Sequence, residues 1–271
     1  MSDIVFRHVG RRFRRNGADV PAVEDVSFEV RSREFVAIVG PSGCGKTTCL
    51  RMAAGLEFPT SGSITVGGKP VIGPGPDRSV VFQQFALFPW KTVVENIDFG
   101  LRANGIAPAD RRSRIERHIV LMGLQGYESA FPHQLSGGMQ QRVAIARSYV
   151  LDPQVLLMDE PFGALDAQTR VVMQEELIKL ARLSPRTVLF ITHAVDEAVY
   201  LADRVVVMTR RPGRIAEIVD VAQVRRAESW DRHERIEDVM DEASFVHLRT
   251  RIWRLLREQQ TGEERAQKSP A

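Results

Sequence analysis

The chain has 271 residues, 44% of them hydrophobic, enough to fill a core in one large domain or two modest ones and too apolar for a disordered protein. Its net charge of +3 is carried more by Arg than by Lys, and the basic runs at 11–15 and 111–114 read as solvated faces, so no nucleic-acid partner is inferred. No apolar run is long enough to cross a bilayer, and the N-terminus, MSDIVFRHVGRRF, lacks the apolar centre of a signal peptide, so a cytosolic location is expected.

Residues 4–30 alternate between β-type segments, IVFRHV and VSFEV, joined by a polar link, RRNGADVP, that reads as a turn; an antiparallel β layer is expected. Phe13 lies between the segments, either in the core or exposed for ring stacking. The apolar run FVAIV (35–39) then leads into GPSGCGKTT (40–48) and a helix-compatible stretch. Strand, loop and helix in that order turn G-x-x-x-x-G-K-[ST] into a phosphate-binding loop. Gly40, Gly43 and Gly45 permit backbone angles that let successive N–H groups of Pro41–Thr48 converge on one anion, Pro41 itself contributing none. The helix presents its positive end to the same anion. Lys46 supplies charge for the β and γ phosphates of ATP, and the Thr47 hydroxyl is placed to ligate Mg²⁺. Ser42, Cys44 and Thr48 complete the loop. Cys44 and Cys49 have no metal-type partners and read as reduced thiols. A dinucleotide fold is disfavoured, because the glycines are not spaced G-x-G-x-x-G.

GSITVGG (62–68) reads as a strand closed by a turn, and the Pro/Gly-rich GPGPDR leads into SVVFQQ. Residues 92–134 become helical in periodicity, with Pro108 and Asp110 marking a helix start and Ile115, Ile119 and Met122 at helical spacing. Helices are then expected near 139–150, 167–183 and 194–201, alternating with strands at 155–158, 187–192 and 204–208. Such alternation argues for a mostly parallel sheet covered on both faces. From 231 to 259 a charged stretch keeps apolar residues at 3/4 spacing, which predicts amphipathic helix. The last residues, from Thr261, are expected to be disordered.

Asp159 and Glu160 follow the strand VLLM, at the carboxyl end where α/β sheets bind ligands. Neighbouring strand positions point in different directions, so one carboxylate can approach Mg²⁺ while the other approaches an attacking water. Asp159 is assigned to the metal and Glu160 to the general base. His193, just past TVLFIT, is either structural or a hydrogen-bond donor to the γ-phosphate. Gln83 or Gln84, after SVVF, can offer an amide to Mg²⁺ or water.

Leu135–Arg142, LSGGMQQR, places a hydroxyl and unobstructed N–H groups at a helix start, a second anion site formed by Ser136, Gly137 and Gly138. With this segment the sequence resembles the ATP-binding-cassette (ABC) family over residues 4 to about 225. The resemblance implies an α/β phosphate-loop NTPase of ABC type: a mostly parallel sheet core, an N-terminal antiparallel β layer, and an inserted helical subdomain at about 88–150. The nucleotide-binding domain would span 1–225, with a C-terminal helical extension and tail at 226–271. It further implies that two subunits sandwich ATP head to tail, with Ser136, Gly137, Gly138 and Gln140 serving the nucleotide of the partner. Phe13 is similar to the adenine-stacking aromatic, Gln83 to the glutamine linking nucleotide state to the transport subunits, Asp166 to the aspartate that communicates across the dimer, and His193 to the switch histidine. Cys49 stands where an aliphatic residue is usual.

GPGPDRSVVFQ, FALFPWKTVVENI and RPGRI look like the nitrate, sulfonate and taurine importer ATPases. The resemblance implies an ATPase on the cytoplasmic face of the membrane that drives a separate permease, with a solute-binding protein as indirect partner. The alternatives are a soluble cassette ATPase and a detached exporter subunit. Phe85, Leu87, Phe88 and Trp90 would either dock a permease helix or fill the helical insertion's own core.

Overall fold

The protein is described by a computed structural model covering residues 3–15, 17–233 and 235–267, with side chains as far as Gln259. Its contacts form two compact units, Met1–Pro74 with Thr187–Ala271, and Gly75–Arg186.

The first unit opens with β1 (Ile4–Arg15) and β2 (Ala18–Val30), paired antiparallel with Ile4 opposite Val30 and Phe13 opposite Val20. The segment read as a turn is thus mostly strand, because cross-strand pairing outweighs the local preference of polar residues. Inward positions bury Ile4, Phe6, Val26 and Val30, and the Phe6 and Phe28 rings stack at 4.5 Å. All five residues of β3 (Phe35–Val39) are buried, as a run of apolar and β-branched residues requires. α1 (Lys46–Ala54) starts at Gly45, whose φ of 99° is left-handed, and packs Cys49, Leu50, Met52 and Ala53 inward. β4 (Ser61–Val66) pairs with the free edge of β1 and β5 (Lys69–Pro70) with β4, giving the order β2-β1-β4-β5.

The second unit pairs β6 (Arg78–Val81) in parallel with β7 (Val155–Asp159), Val81 opposite Met158. Between them run α2 (Val93–Ala103), α3 (Pro108–Leu121) and α4 (Gly137–Tyr149); α5 (Ala167–Leu183) follows β7. α2 begins with a capping box in which Thr92 and Glu95 satisfy each other's backbone N–H groups. α3 has Pro108 in its first turn and buries Ile115 and Ile119, one helical turn apart.

The chain then returns to the first unit with β8 (Thr187–Ile191), α6 (Val195–Leu201), β9 (Arg204–Met208), β10 (Ile215–Asp220) and α7 (Val221–Ala227). β3 pairs in parallel with both β8 and β9, and β10 runs antiparallel to β9. Arg204 grips Glu34 through two bonds of 2.6 and 2.7 Å, tying the start of β9 to the start of β3.

α8 (Ile236–Met240) and α9 (Ala243–Gln267) also belong to this unit. α9 buries Phe245, Leu248 and Ile252 and packs on α6 and β9, and the Trp230 indole donates to Ser244 Oγ at 3.0 Å. Residues 226–267 thus lie in the same compact unit as β3, with the apolar face of α9 covered by α6 and β9. Disorder was expected from Thr261; the α9 backbone continues to Gln267, and 268–271 lie outside the described residues.

Candidate functional site

The phosphate loop connects β3 to α1. Gly43 and Gly45 have φ of 78° and 99°, which a side chain would resist and which let the backbone between β3 and α1 turn sharply. Lys46, only 7% exposed, donates from Nζ to the carbonyls of Gly40 at 2.8 Å and Pro41 at 3.2 Å. Its ammonium is thereby held within the loop. Thr47 and Ser42 are exposed and Thr48 half-buried. The Cys44 side chain is fully buried, and burial pushes its thiol above the usual range, against the pull of the Lys46 charge. The Cys44 N–H donates to the Pro41 carbonyl at 3.3 Å.

β3 and β8 run parallel with Ile38 opposite Ile191, so Gly40 and His193 leave the sheet at the same end. His193 is exposed, and the turn that carries it is fixed by Thr192, whose N–H donates to the Ile38 carbonyl at 3.3 Å and whose hydroxyl accepts from Ala194 N–H at 3.0 Å. Phe13 is half-buried on β1, with the Arg11 guanidinium 4.6 Å over its ring and Arg11 paired to Glu57 at 2.7 Å.

In the second unit, Asp159 ends β7 and Glu160 follows it with φ of 45°, a left-handed conformation uncommon for glutamate. A turn closed by Gly163 N–H to the Glu160 carbonyl at 3.0 Å holds it there. Gln83 and Gln84 follow β6 and are both exposed. Gln83 Nε2 lies 3.5 Å from Glu160 Oε2, since β6 and β7 are parallel neighbours ending together.

Ser136 caps α4, accepting from Met139 N–H at 3.3 Å, and Gln140 Nε2 donates to the Leu135 carbonyl at 3.2 Å. Asp166 caps α5 in the same way, accepting from Thr169 N–H at 2.9 Å. That backbone bond, with the Thr169 hydroxyl, holds its carboxyl below the usual carboxylate range. The two helix starts are pressed together: a Cβ on Gly138 would come within 2.6 Å of Thr169 Cγ2, whereas Gly137 has a nearest neighbour, Leu165, at 3.7 Å. Ser136–Gly138 and Asp166 therefore form one positively polarised, capped corner.

The sequence reading missed two residues here. Asn96 is fully buried on α2; it accepts from Phe88 N–H at 2.8 Å and donates to the Phe88, Lys91 and Thr92 carbonyls. Arg147 on α4 donates to the Ala86 and Phe85 carbonyls at 2.7 and 3.1 Å and lies 5.8 Å from the Phe88 ring centre. Together they fix the loop after Gln83. Phe85, Leu87 and Phe88 are half-buried in it, whereas Trp90 is 70% exposed. An asparagine inside the apolar face of a predicted helix was the available signal for Asn96; Arg147 gave none.

Residues 23–163 match the profile of the ABC transporter family, a span that includes the phosphate loop, Gln83, Ser136–Gly138, Asp159 and Glu160. The chain belongs to the ABC transporter family. This ABC cassette is 56% identical to an uncharacterized ABC transporter ATP-binding protein of Methanocaldococcus jannaschii, over 77% of its own length and 78% of that protein's. It is 47% identical to the taurine import ATP-binding protein of Pelagibacter ubique, with 79% and 82% covered, and 43% identical to the nitrate import ATP-binding protein of a Synechocystis strain, with 95% and 94% covered. A dimeric ATP-binding cassette bound to ADP and phosphate superposes with a TM-score of 0.72 at 29% identity, over 80% of this chain and 98% of that one. The cassette has the α/β phosphate-loop fold of the family and is an ATPase. Among its described residues, no helix is long and apolar enough to cross a membrane.

Proposed function

We propose that this ABC ATPase powers uptake of a small anion of the nitrate, sulfonate or taurine class through a separate membrane permease. The observation that carries the reading is its 42–47% identity to taurine and nitrate import subunits, over 79–95% of the chain. It works as a homodimer at the cytoplasmic face of the membrane, with a solute-binding protein as indirect partner. The dimeric cassettes among its structural neighbours support that assembly.

The residues have the following roles in this reading. Phe13 stacks on adenine, and the N–H groups of 42–48, with Lys46, bind the phosphates. Ser136, Gly137, Gly138 and Gln140 receive the γ-phosphate held by the other protomer, and Asp166 stands at that junction. Glu160 accepts a proton from the attacking water, while His193 and Gln83 orient that water. Thr47, Asp159 and Gln83 offer hard oxygen donors of the kind Mg²⁺ takes. Mg²⁺ bound by such donors would neutralise phosphate charge.

Replacing Glu160 with Gln should lower ATP turnover by about 10² to 10⁴ while ATP binding persists. The same tagged variant, extracted from native membranes with ATP, should bring down a multi-helix permease. Recovery of ribosomes or DNA-repair factors without a permease would overturn the importer reading and leave the ATPase in place.

A further inference from the structure

The tip that joins β9 to β10, Thr209–Arg214, lies against the phosphate loop, although about 170 residues separate them in sequence. A Cβ built on Gly213 would stand 1.8 Å from the Cys44 carbonyl oxygen and 3.0 Å from its carbon, so only a bare Cα fits beneath that peptide. From the other side, a Cβ on Gly45 would meet Val23 Cγ2 at 2.5 Å and the Ala22 carbonyl at 3.1 Å. A Cβ on Gly40 would meet Cys44 Sγ at 2.7 Å and Met208 Cβ at 3.1 Å. The loop is thus enclosed by β2, by the end of β9 and by this tip.

The surrounding pieces are fastened to one another. Gly213 bridges Val23, donating its N–H to the Ala22 carbonyl and accepting from Glu24 N–H, both at 2.9 Å. Arg214 pairs with Glu24 at 2.8 Å, and Arg211 Nε donates to the Pro21 carbonyl at 3.0 Å. Thr209 Oγ1 accepts from Arg214 N–H at 3.0 Å and closes the tip on itself.

We infer that Gly213 is a positioning residue for ATP binding, and that the 209–214 tip sets the orientation of the Cys44–Gly45 peptide. In a trans peptide the C=O and the following N–H point in opposite directions. With the Cys44 carbonyl against Gly213, the Gly45 N–H is turned away from the tip, the direction it needs to reach a phosphate. Crowding at Gly213 rotates this peptide and removes one donor from the anion-binding set, while the reacting groups Glu160 and His193 are untouched. The inference rests on the phosphate loop binding ATP.

The test is steady-state ATPase kinetics of the full chain. Gly213→Ala is expected to raise KM for ATP roughly tenfold or more, with kcat within about twofold of wild type. Gly73→Ala, in the same unit and with nothing within 4 Å of its added methyl, should change neither. An unchanged KM in Gly213→Ala overturns the inference, and so does a fall in kcat alone, the pattern of a partly unfolded sample. If that variant does not fold, Arg211→Ala/Arg214→Ala loosens the same tip without crowding it. A rise in KM of about threefold is then expected, and an unchanged KM overturns the inference. A wild-type protein that binds no ATP would overturn the loop assignment as well, a result distinguishable from failure of the variant alone.

Discussion

Gln141, one residue beyond Gln140 on α4, is fully buried, and neither atom of its side-chain amide has a hydrogen-bond partner among the described residues. Burying such a group unpaired costs about 1–3 kcal/mol. Gln141→Met keeps the volume and removes the polar atoms, so unfolding should become about 1 kcal/mol harder, read as a higher thermal midpoint. A lower midpoint would mean that the amide is satisfied by a buried water. The thiols make a second test at this scale. Cys49 is wholly buried, which pushes its thiol up to about 12, with Cys44 nearby adding to the rise. The thiolate is the reactive form, so iodoacetamide at neutral pH should leave both cysteines unmodified in the native protein and label both after unfolding, as mass spectrometry would show. What was legible residue by residue was whatever acts through its immediate neighbours in sequence. Gly45, Lys46 and Thr47 form one local turn, and their spacing carries the chemistry. Gln83 beside Glu160 depends on a contact across 77 positions. The sequence supplied both residues and no sign of their pairing.

At the scale of elements, Arg147 joins α4, whose start is the capped Ser136 corner, to the loop after Gln83. Burial lowers the pKa of its guanidinium, yet two carbonyls and the Phe88 ring engage it. Arg147→Ala should cost about 1.5–3 kcal/mol, since hydrogen bonds to a charged donor are lost, and should speed amide exchange across residues 85–91. Unchanged exchange there would show that Asn96 alone holds the loop. Most helices and central strands were readable because each repeats a simple pattern: β8 is apolar after its opening Thr187, and α3 has its apolar pair four residues apart. The difference is at β1 and β2, where a polar link imitates a turn throughout while the ladder from Phe13–Val20 to Arg15–Ala18 keeps Arg14, Arg15, Ala18 and Asp19 extended, and Gly17, at φ 80°, is in the turn itself. Polar composition reports a preference, and pairing with a neighbour overrides it.

For the whole molecule, the C-terminal extension is structural. Phe245 and Ile252 are fully buried, Leu248 nearly so, Ile236 is buried as well, and the Trp230 ring lies 5.6 Å from that of Phe245. Deleting residues 226–271 removes these side chains and exposes the apolar surface of α6 and β9 beneath them. Burial of a large apolar side chain is worth about 1.5–3 kcal/mol, so the loss of several exceeds the margin of a typical domain. The truncated chain should therefore aggregate or melt well below the full one in a thermal scan, and an unaltered melt would contradict the packing of α9. Sequence periodicity identified this helix but could not say which surface it covers, since an apolar stripe looks the same against the parent fold or a partner.

The interleaving of the two units also bears on how the chain is made. On the ribosome, β3 emerges with all five of its residues apolar, yet both of its sheet neighbours, β8 and β9, lie beyond residue 186. At 5–20 residues per second, about 10–30 s pass before they follow. Throughout that interval the strand leading into the phosphate loop has no neighbour to complete its ladder, so nascent chains of this length should be held by chaperones until β9 is synthesised.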